Sequence, residues 1–377
     1  MQKSSQIRIW AAAFLLISSF SFFAEKAKAS KSLEWDALIA AAQKEGKLEL
    51  ILSGQVPQKL KPAMIEFEKK YRIKVNFQTG GGSAHAERLL AERRLGRYTL
   101  DIWLGGANTP LVSLVPAKVL ASLPEMLIDP SVKDPSRWYK GKHHYTDPEG
   151  RYVFTYGASP NHAVSFNKNL VKAEEIKSYH DLLDPKWKGK IVSWSPGAQG
   201  TAPTSVSLYL NPKIGENWFR RWANEMDVTI VKDARQGAEW LAMGRFHIGM
   251  FGLNTQSEDL ANIGFPIQGY LPHPMLEGDA LTASASNLMV LDKAPNPNAA
   301  KLFINWALGQ EAQTLFVKLG EKMDSLRVDV DNSTIEEHYR IRRDQEYWVS
   351  FSNEDYINRQ TEILKRLREI MLEAGYK

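Results

Sequence analysis

Cysteine is absent from the 377-residue sequence. This absence excludes a disulfide framework, a thiolate metal site, a cysteine nucleophile and a cysteine on which an exported protein could carry a lipid. The common enzyme signatures are missing too, since there is no G-x-S-x-G, P-loop, G-x-G-x-x-G or H-E-x-x-H. We therefore predict a protein that binds rather than catalyses and that needs no cofactor.

Long apolar runs are scarce. Residues 9–24 form one, but it is shorter than the roughly 20 apolar residues of a membrane span, and no later run approaches that length. Lys3 and Arg8 precede it and the small-residue site Ala27-Lys28-Ala29 follows it, which is the pattern of a secretory signal peptide. We expect residues 1–29 to be removed and the mature protein to reside in a bacterial periplasm.

Long basic runs are also missing. The predicted leader carries four basic residues against Glu25, a net +3 of the total +5, which leaves +2 for the rest of the chain. A nucleic-acid-binding protein normally shows a basic patch or stripe. We therefore exclude nucleic acid as a partner.

Two regions of the chain alternate helical and strand-like segments. In both, residues 33–104 and 179–251, apolar residues recur at helical and then at strand spacing. Such alternation is typical of a mainly parallel sheet flanked by helices. The sequence thus predicts two α/β lobes with a cleft between them. Nearer the C-terminus we expect one helix over 299–318 and an amphipathic helix around 357–371.

Three loops place glycine or serine directly after a predicted strand. They read GGGSAH at 80–85, GGANT at 105–109 and SPGAQGT at 195–201. The first and third precede a helix, whose start carries unpaired N–H groups and the positive end of the helix dipole. These two loops are candidate anion sites, although serine and glycine serve equally well as a helix cap at a flexible turn.

Two tryptophans and a histidine pair are the other chemical candidates. Trp103 and Trp194 end predicted strands and could stack on a sugar or an organic cation, with packing in a core as the alternative. His143 and His144 could bind a metal, but no third ligand is near them in the sequence. We predict no metal site.

Four segments make nearly the whole mature chain resemble the solute-binding proteins of bacterial ABC importers, in the branch of the periplasmic ferric-ion-binding proteins and their sugar-phosphate and phosphonate relatives. The segments are EGKL at 45–48, FEKKYRIKV at 67–75, DLLDPKWKGKI at 181–191 and PNPNAAKLF at 295–303. The resemblance implies a type II periplasmic-binding-protein fold, with two α/β lobes that close on a ligand at the hinge. It also implies a monomer that delivers its solute to an inner-membrane ABC permease.

The same resemblance suggests a division of the chain. Lobe 1 is expected to comprise residues 30–162 and 273–328, and lobe 2 residues 163–272. Residues 329–377 are expected to form a C-terminal helical segment packed on lobe 2.

The chain departs from the ferric-ion-binding pattern. Those relatives use a His after the first strand, a Glu after the third and two adjacent Tyr in lobe 2. The corresponding stretches here read SGQVP at 53–57, LGGA at 104–107 and FGLNT at 251–255. They offer none of these ligands, and Fe³⁺ needs anionic oxygen donors. The loop at 195–198, however, resembles the phosphate-holding loop of the family.

The sequence therefore predicts a receptor for a small anionic solute that carries a phosphate group. The residues predicted to bind it come from both lobes: Ser53, Gly54, Gly81, Gly82, Ser83, Gly106, Asn108, Ser195, Gly197, Ala198, Thr201 and Asn254, with Trp103 and Trp194 as candidate stacking residues. Three alternatives stay open at this point. They are a ferric-iron receptor, a thiamine or polyamine receptor that uses Asp101 or Asp233, and a protein that feeds a membrane sensor or acts as a periplasmic enzyme.

Overall fold

Strands from distant parts of the chain build the first β-sheet. The computed structural model describes residues 33–54, 58–283, 285–320, 323–351 and 354–376, so the predicted signal peptide lies outside the described residues. The strands of this sheet are β1 (Lys47–Ser53), β2 (Lys74–Gly80), β3 (Ile102–Gly105), β4 (Phe154–Thr155) and β12 (Asn287–Val290). They lie in the order β2-β1-β3-β12-β4.

A second sheet of five strands forms the other half of the molecule. Its strands are β6 (Val164–Asn167), β7 (Ile191–Trp194), β8 (Thr229–Val231), β9 (Ile248–Met250) and β10 (Ile267–Gln268), in the order β10-β6-β9-β7-β8. Both sheets are mixed rather than mainly parallel. β1 runs parallel to β2 and β3, and β7 runs parallel to β8 and β9, whereas β12 and β6 pair antiparallel with their neighbours. Parallel neighbours need a crossover connection, which is usually a helix. β6 and β12 instead lie next to the places where the chain passes between the sheets, and they pair antiparallel.

A third, smaller sheet connects the two halves. It consists of β5 (Gly157–Asn161), β11 (Ala280–Thr282), β13 (Asp324–Ser325) and β14 (Trp348–Val349), in the order β13-β5-β11-β14. β5 is followed within three residues by β6 of the second sheet, and β10 of the second sheet leads back to β11. The chain crosses between the halves at both of these places, and it passes to the second half again between β14 and the C-terminal helix, which gives two lobes around a hinge.

Helices flank both large sheets. They are α1 (33–45), α2 (Lys61–Tyr71), α3 (Gly82–Arg94), α4 (Pro130–Lys133), α5 (Ala202–Leu210), α6 (Gly215–Glu225), α7 (Ala234–Ala242), α8 (Asn254–Asn262), α9 (Pro297–Ala307), α10 (Gln310–Gly320) and α11 (Glu354–Glu373). The single helix expected over 299–318 is wrong, because the chain turns at Gly309, whose N–H bonds to the Trp306 carbonyl, before α10 begins. Within the described ranges, no helix combines the length and apolar character of a bilayer span.

Alternation along the strands places apolar side chains on both faces of the first sheet. In β1, Leu48, Leu50 and Leu52 belong to the core that contains Phe67 of α2, whereas Ile51 belongs to the core on the other face. Helices cover both of these layers. This leaves the carboxyl-terminal edge of the sheet as the place where its loops are accessible.

The segment 329–377 is divided between the lobes, which corrects the expectation that all of it is helical and packs on lobe 2. Its first part contains strand β14, and Ile341, Tyr347 and Phe351 belong to the core of the first lobe. Its second part, helix α11, inserts a row of apolar side chains into the core of the second lobe: Ile363, Leu364, Leu367, Ile370 and Met371. The remaining lobe boundaries stay a prediction.

A buried carboxylate ties the first sheet to helix α9. Asp101 is fully buried and accepts hydrogen bonds from Glu49 N (2.8 Å), Asn296 N (2.8 Å) and Asn296 Nδ2 (2.9 Å). Burial raises the pKa of the carboxyl, and these three donors oppose that shift. Asp101 therefore has a structural role.

We expect Asp101→Ala to lower the free energy of unfolding by roughly 3 kcal/mol, because two backbone N–H groups and an amide would be left buried without an acceptor. Urea unfolding followed by circular dichroism measures this. Glu66→Ala, which removes an exposed carboxylate paired with Lys69, is the control and should change the value by less than about 0.5 kcal/mol. Equal values for the two variants would contradict the assigned role.

A buried histidine makes the fold sensitive to acid. His144 is 1% exposed, and its Nε2 lies 2.9 Å from the Tyr139 carbonyl, to which it donates. Burial lowers its pKa from 6.5 to about 4. The folded protein therefore keeps His144 neutral between pH 4 and 6.5, while the unfolded chain takes up a proton.

Stability should accordingly fall as the pH drops from 6.5 towards 4, with His144 contributing roughly 2–4 kcal/mol of that loss. His144→Gln can keep a donor to Tyr139 and does not titrate, so its stability should decline less over this range. Thermal unfolding at a series of pH values measures the difference. His180→Gln, at an exposed histidine, should follow the parent protein.

Candidate functional site

A cavity of about 330 Å³ lies where three parallel strands of the first sheet end. The strand register sets Ser53 at the end of β1 opposite Gly80 of β2 and opposite Gly105 of β3. The loops that follow these strands meet at one edge of the sheet. From them the lining receives Ser53, Gly54, Gly81, Gly82, Gly106, Ala107, Asn108 and Thr109. Six of the predicted site residues, namely Ser53, Gly54, Gly81, Gly82, Gly106 and Asn108, are thus brought together.

The start of helix α3 opens onto this cavity. Gly81 is its N-cap, in an extended conformation, and no side chain caps the first N–H groups. These groups have no intrahelical acceptors, and they carry the positive end of the dipole of a 13-residue helix. A Cβ on Gly82 would lie 2.8 Å from Thr109 Oγ1 and 3.3 Å from Ser53 Oγ, so the glycine lets two hydroxyl groups approach the helix start closely.

A buried amide positions the loop after β3. Asn287 Nδ2 donates to the Gly105 carbonyl (3.1 Å), while its Oδ1 accepts from Thr155 Oγ1 (2.8 Å) and Thr146 Oγ1 (3.3 Å). Thr146 and Asn287 also line the cavity. The sequence does not predict either residue, since both reach the cavity through the pairing of β12 with β3, which no local pattern reveals.

Other lining residues that the sequence did not predict come from the start of α5, the hinge region and the C-terminal segment. They are Pro203, Thr282, Ala283, Ala285, Ser350, Phe351 and Tyr356. Ser350 is fixed by two bonds to the Leu281 carbonyl, from its N–H and from its Oγ, each 3.1 Å long. The C-terminal segment therefore contributes directly to the cavity wall.

The cavity lining is electrically neutral. None of the residues that form it is Asp, Glu, His, Lys or Arg. Across the described part of the chain, no group of three or more His, Cys, Asp or Glu is arranged to hold a metal ion. His143 and His144 instead bond through Nε2 to the carbonyls of Val132 and Tyr139. The polar groups that the lining offers to a ligand are hydroxyls, amides and backbone groups.

The predicted anion loop of the second lobe does not reach the cavity. Thr201 Oγ1 lies within hydrogen-bond distance of the carbonyls of Ser195, Pro196 and Ala198, which closes the loop on itself. Helix α11 covers it, because Arg368 Nη1 donates to the Gly197 carbonyl (3.1 Å) and a Cβ on Gly197 would lie 2.5 Å from Arg368 Cγ. Ser195, Gly197, Ala198 and Thr201 do not line this cavity, and their part in ligand binding stays a prediction.

Two further predicted residues lie outside the cavity lining. Ser83 belongs to the first turn of α3 but is not one of the lining residues. Asn254 Nδ2 donates to the Gly269 carbonyl, next to the second crossing of the hinge. This amide therefore has a structural partner.

The two candidate stacking residues are used in packing. Trp103 is fully buried in the core on one face of the first sheet. Trp194 is half-buried, and its ring would lie 2.6 Å from a Cβ on Gly200 and 2.8 Å from one on Gly252. Neither ring lines the cavity, and stacking on a ligand stays a prediction.

A second cavity, of about 410 Å³, lies beside the hinge and holds no predicted site residue. Its lining is rich in ionisable side chains, but these make contacts within the protein. Arg342 pairs with Glu337 (2.9 Å), and Asp279 accepts from Met275 N and Gln345 Nε2 at 3.3 Å each. We take the neutral cavity as the candidate ligand site, because it brings together six of the predicted site residues.

The fold thus consists of two lobes, a hinge sheet between them and a cavity at the strand ends. The sequence matches the family of bacterial extracellular solute-binding proteins over residues 63–321. The chain belongs to this family. Its members bind solutes for ABC importers, so the prediction of a binding protein rather than an enzyme is confirmed.

Three proteins resemble this chain in sequence or in fold. An uncharacterised protein of Haemophilus influenzae is 26% identical over 275 residues, which cover 72% of this chain and 74% of that protein. A Trichodesmium protein named IdiA and FutA was solved in complex with iron and citrate ligands. It superimposes on this chain with a TM-score of 0.63 at 20% identity, and the alignment covers 88% of this chain and 100% of the Trichodesmium chain. The periplasmic binding protein AfuA of Actinobacillus pleuropneumoniae, solved with fructose-6-phosphate bound, gives 0.53 at 21% identity, with coverages of 87% and 99%.

These likenesses confirm the predicted two-lobed fold of type II periplasmic binding proteins. At 20–21% identity, the two solved structures show the fold alone. Their different bound solutes leave the ligand of this chain to be argued from its own cavity.

Gly105 ends β3 and Gly106 follows it directly. We expect substitution of Gly106 to affect solute binding and substitution of Gly105 to affect stability. A Cβ on Gly106 meets nothing within 4 Å, so the side chain of Gly106→Val should fill part of the cavity. The midpoint of thermal unfolding should stay within about 2 °C of the parent value. Stabilisation by any solute that stabilises the parent should be abolished. A Cβ on Gly105 would lie 2.7 Å from the Ser53 carbonyl oxygen, so Gly105→Ala should destabilise the fold itself. Differential scanning fluorimetry with and without solute measures both effects. Full solute binding by Gly106→Val would contradict this location of the site.

Proposed function

We propose that this protein captures a small anionic solute bearing a phosphate group and delivers it to an ABC permease in the inner membrane. One observation carries the proposal: the uncapped, glycine-rich start of α3 faces a neutral cavity together with the hydroxyl-bearing residues Ser53 and Thr109. Phosphate is recognised in this way at many helix N-termini, because backbone N–H groups and the dipole favour an anion. The phosphate is placed in lobe 1 rather than in the covered loop at 195–198.

The neutral lining supports an anion over a cation. A buried anion needs donors, and the start of α3 supplies them without a formal countercharge. A cation needs carboxylates, and those considered for it have other partners. Asp101 is bound by Glu49 and Asn296, and Asp233 caps α7 by accepting from Gln236 N (2.9 Å). The thiamine or polyamine alternative therefore has no support in the cavity.

Ferric iron is the second candidate, favoured by the iron-bound relative. The cavity lining contains a single phenol, Tyr356, and no carboxylate or imidazole. Burial raises the pKa of Tyr356, which disfavours the phenolate that would bind Fe³⁺. A phosphate-bearing organic solute agrees better with these residues, and the fructose-6-phosphate complex of AfuA shows such a solute in a protein of this fold.

We propose a periplasmic location on the basis of the predicted signal peptide. A signal peptide at residues 1–29 would deliver the chain to the periplasm, where it acts as a monomer. Closure of the lobes about the hinge would enclose the solute and create the form that the permease accepts. The alternative of a membrane sensor as the recipient uses the same cavity and differs only in the partner.

A panel of sugar phosphates, phosphonates, carboxylates, polyamines, thiamine and ferric citrate tests the proposal. A true ligand present at about 100 times its dissociation constant should stabilise the protein by about 2.7 kcal/mol and raise the midpoint of thermal unfolding by several degrees. We expect this response from phosphorylated compounds. A response to ferric citrate alone would overturn the proposal in favour of an iron receptor.

Gly81→Asp is the matched variant. An Asp at this N-cap would accept from the free N–H groups of α3 and place a negative charge where the phosphate is proposed to bind. Since a Cβ on Gly81 meets nothing within 4 Å, the unliganded protein should be as stable as the parent or slightly more stable. Stabilisation by phosphorylated compounds should be lost. Retained binding would place the phosphate elsewhere.

A further inference from the structure

A cluster of polar and aromatic side chains lies on the side of the hinge that faces away from the neutral cavity. In the antiparallel pair of β5 and β11, Leu281 lies opposite Pro160, and the next residue, Thr282, lines the neutral cavity. Successive side chains of a strand point to opposite faces of the sheet, so Pro160 faces away from that cavity. Pro160 lines the second cavity together with two members of the cluster, Tyr270 and His338.

Helix α8 reaches this cluster from the second lobe. It belongs to that lobe because Leu260 packs in the same core as β7. Glu258 of α8 is 9% exposed, accepts a hydrogen bond from the Tyr339 hydroxyl, and has its Oε1 3.5 Å from His338 Nε2. A Cβ on Gly269 would lie 2.7 Å from Glu258 Cγ, so the glycine after β10 lets the carboxylate side chain pass.

The partners of Glu258 belong to a segment that is held by the first lobe. Tyr339 packs against Val317 of α10. Two residues further on, Ile341 belongs to the core of the first lobe, and its N–H donates to Asp324 Oδ2 of β13 (2.9 Å). The contacts of Glu258 therefore join the two lobes directly, in addition to the strands that cross between them.

Ring stacking limits how far this side of the hinge can close. The rings of His338 and Tyr270 lie parallel, with centroids 3.6 Å apart and an interplanar angle of 8°. His162, just after β5, donates from Nε2 to the His338 carbonyl (2.9 Å) and so fixes the backbone of the segment to the first crossing. Rings in van der Waals contact cannot approach further. Motion of the lobes from this arrangement can therefore only separate the cluster, which is the motion that narrows the cavity on the other side of the hinge.

We propose that Glu258, Tyr339 and His338 form an interlobe latch that holds the lobes apart in the absence of solute and has to break before they close. The free energy of breaking the latch is subtracted from that of solute binding, so three residues outside the cavity set the affinity without touching the solute. The inference extends the proposed closure of the lobes and is independent of the chemical class of the solute.

A distance between the lobes tests the latch without any solute. Because the chain has no cysteine, Val112→Cys and Lys232→Cys can carry two nitroxide labels without other changes. Val112 follows β3 and is 73% exposed, and Lys232 is exposed directly after β8. β8 runs parallel to β7, and Pro203, after β7, lines the neutral cavity, so both labels lie at sheet edges that face it. Their separation, measured by double electron–electron resonance, should shorten as the lobes close.

Two variants release the latch from opposite lobes. In the labelled, solute-free chain from residue 30 onward, Tyr339→Phe removes the hydroxyl and Glu258→Ala removes the carboxylate. Each should raise the ratio of the short to the long distance about tenfold, as expected for the loss of a hydrogen bond to a carboxylate. The double variant should add no further shift, because both changes break the same contact.

Tyr347→Phe is the matched control. The Tyr347 hydroxyl accepts from Arg342 N (3.1 Å) and lies 3.3 Å from Gln345 Oε1, so its bonds stay within the same segment. This variant should give the parent distribution of distances. An equal response of Tyr347→Phe, additive shifts in the double variant, or no shorter distance in either latch variant would overturn the inference. Since no solute is present, a failure of the phosphate proposal would leave this result unaffected.

Discussion

The register of β1 against its two parallel neighbours is the constraint on which the site depends. It sets Ser53 beside Gly80 and Gly105, so three loops begin at the same edge of one sheet. The glycine after β2 then starts helix α3 at this edge, and the glycine after β3 keeps the space in front of it open. A shift of one residue in this register would exchange the faces of β1 and bury the wrong side chains.

Charged side chains form ion pairs and hydrogen bonds within the fold, whereas none of them lines the cavity. Asp101 joins the first sheet to α9, and Arg327, whose side chain is fully buried, donates to both carboxylate oxygens of Asp329 and to the carbonyls of Ser131 and Leu308. A buried charge is tolerated when its partners surround it in this way. The cavity instead presents dipoles, whose interaction with an anion needs no compensating ion inside the protein.

Local patterns predicted the first-lobe part of the cavity lining, and long-range packing decides the rest. Gly81, Gly82 and Gly106 were predicted because they directly follow parallel strands, whose ends share one edge of the sheet. The same reasoning could not show that Arg368 covers Gly197, since nothing in the loop of Gly197 reveals it. Asn287 and Tyr356 could not be found at all, because they reach the cavity only through pairing and packing with residues far away in the sequence.

The division of the C-terminal segment between the lobes has a consequence for how the chain folds as it is made. The first sheet lacks β12 until residues 287–290 are present, and the core of the second lobe lacks its last row of apolar side chains until 363–371 are present. The first lobe can therefore complete its sheet only after residue 290 has been made, and the second lobe can complete its core only after residue 371. Contacts of such long sequence separation slow folding and leave apolar surface of the second-lobe core exposed in the meantime.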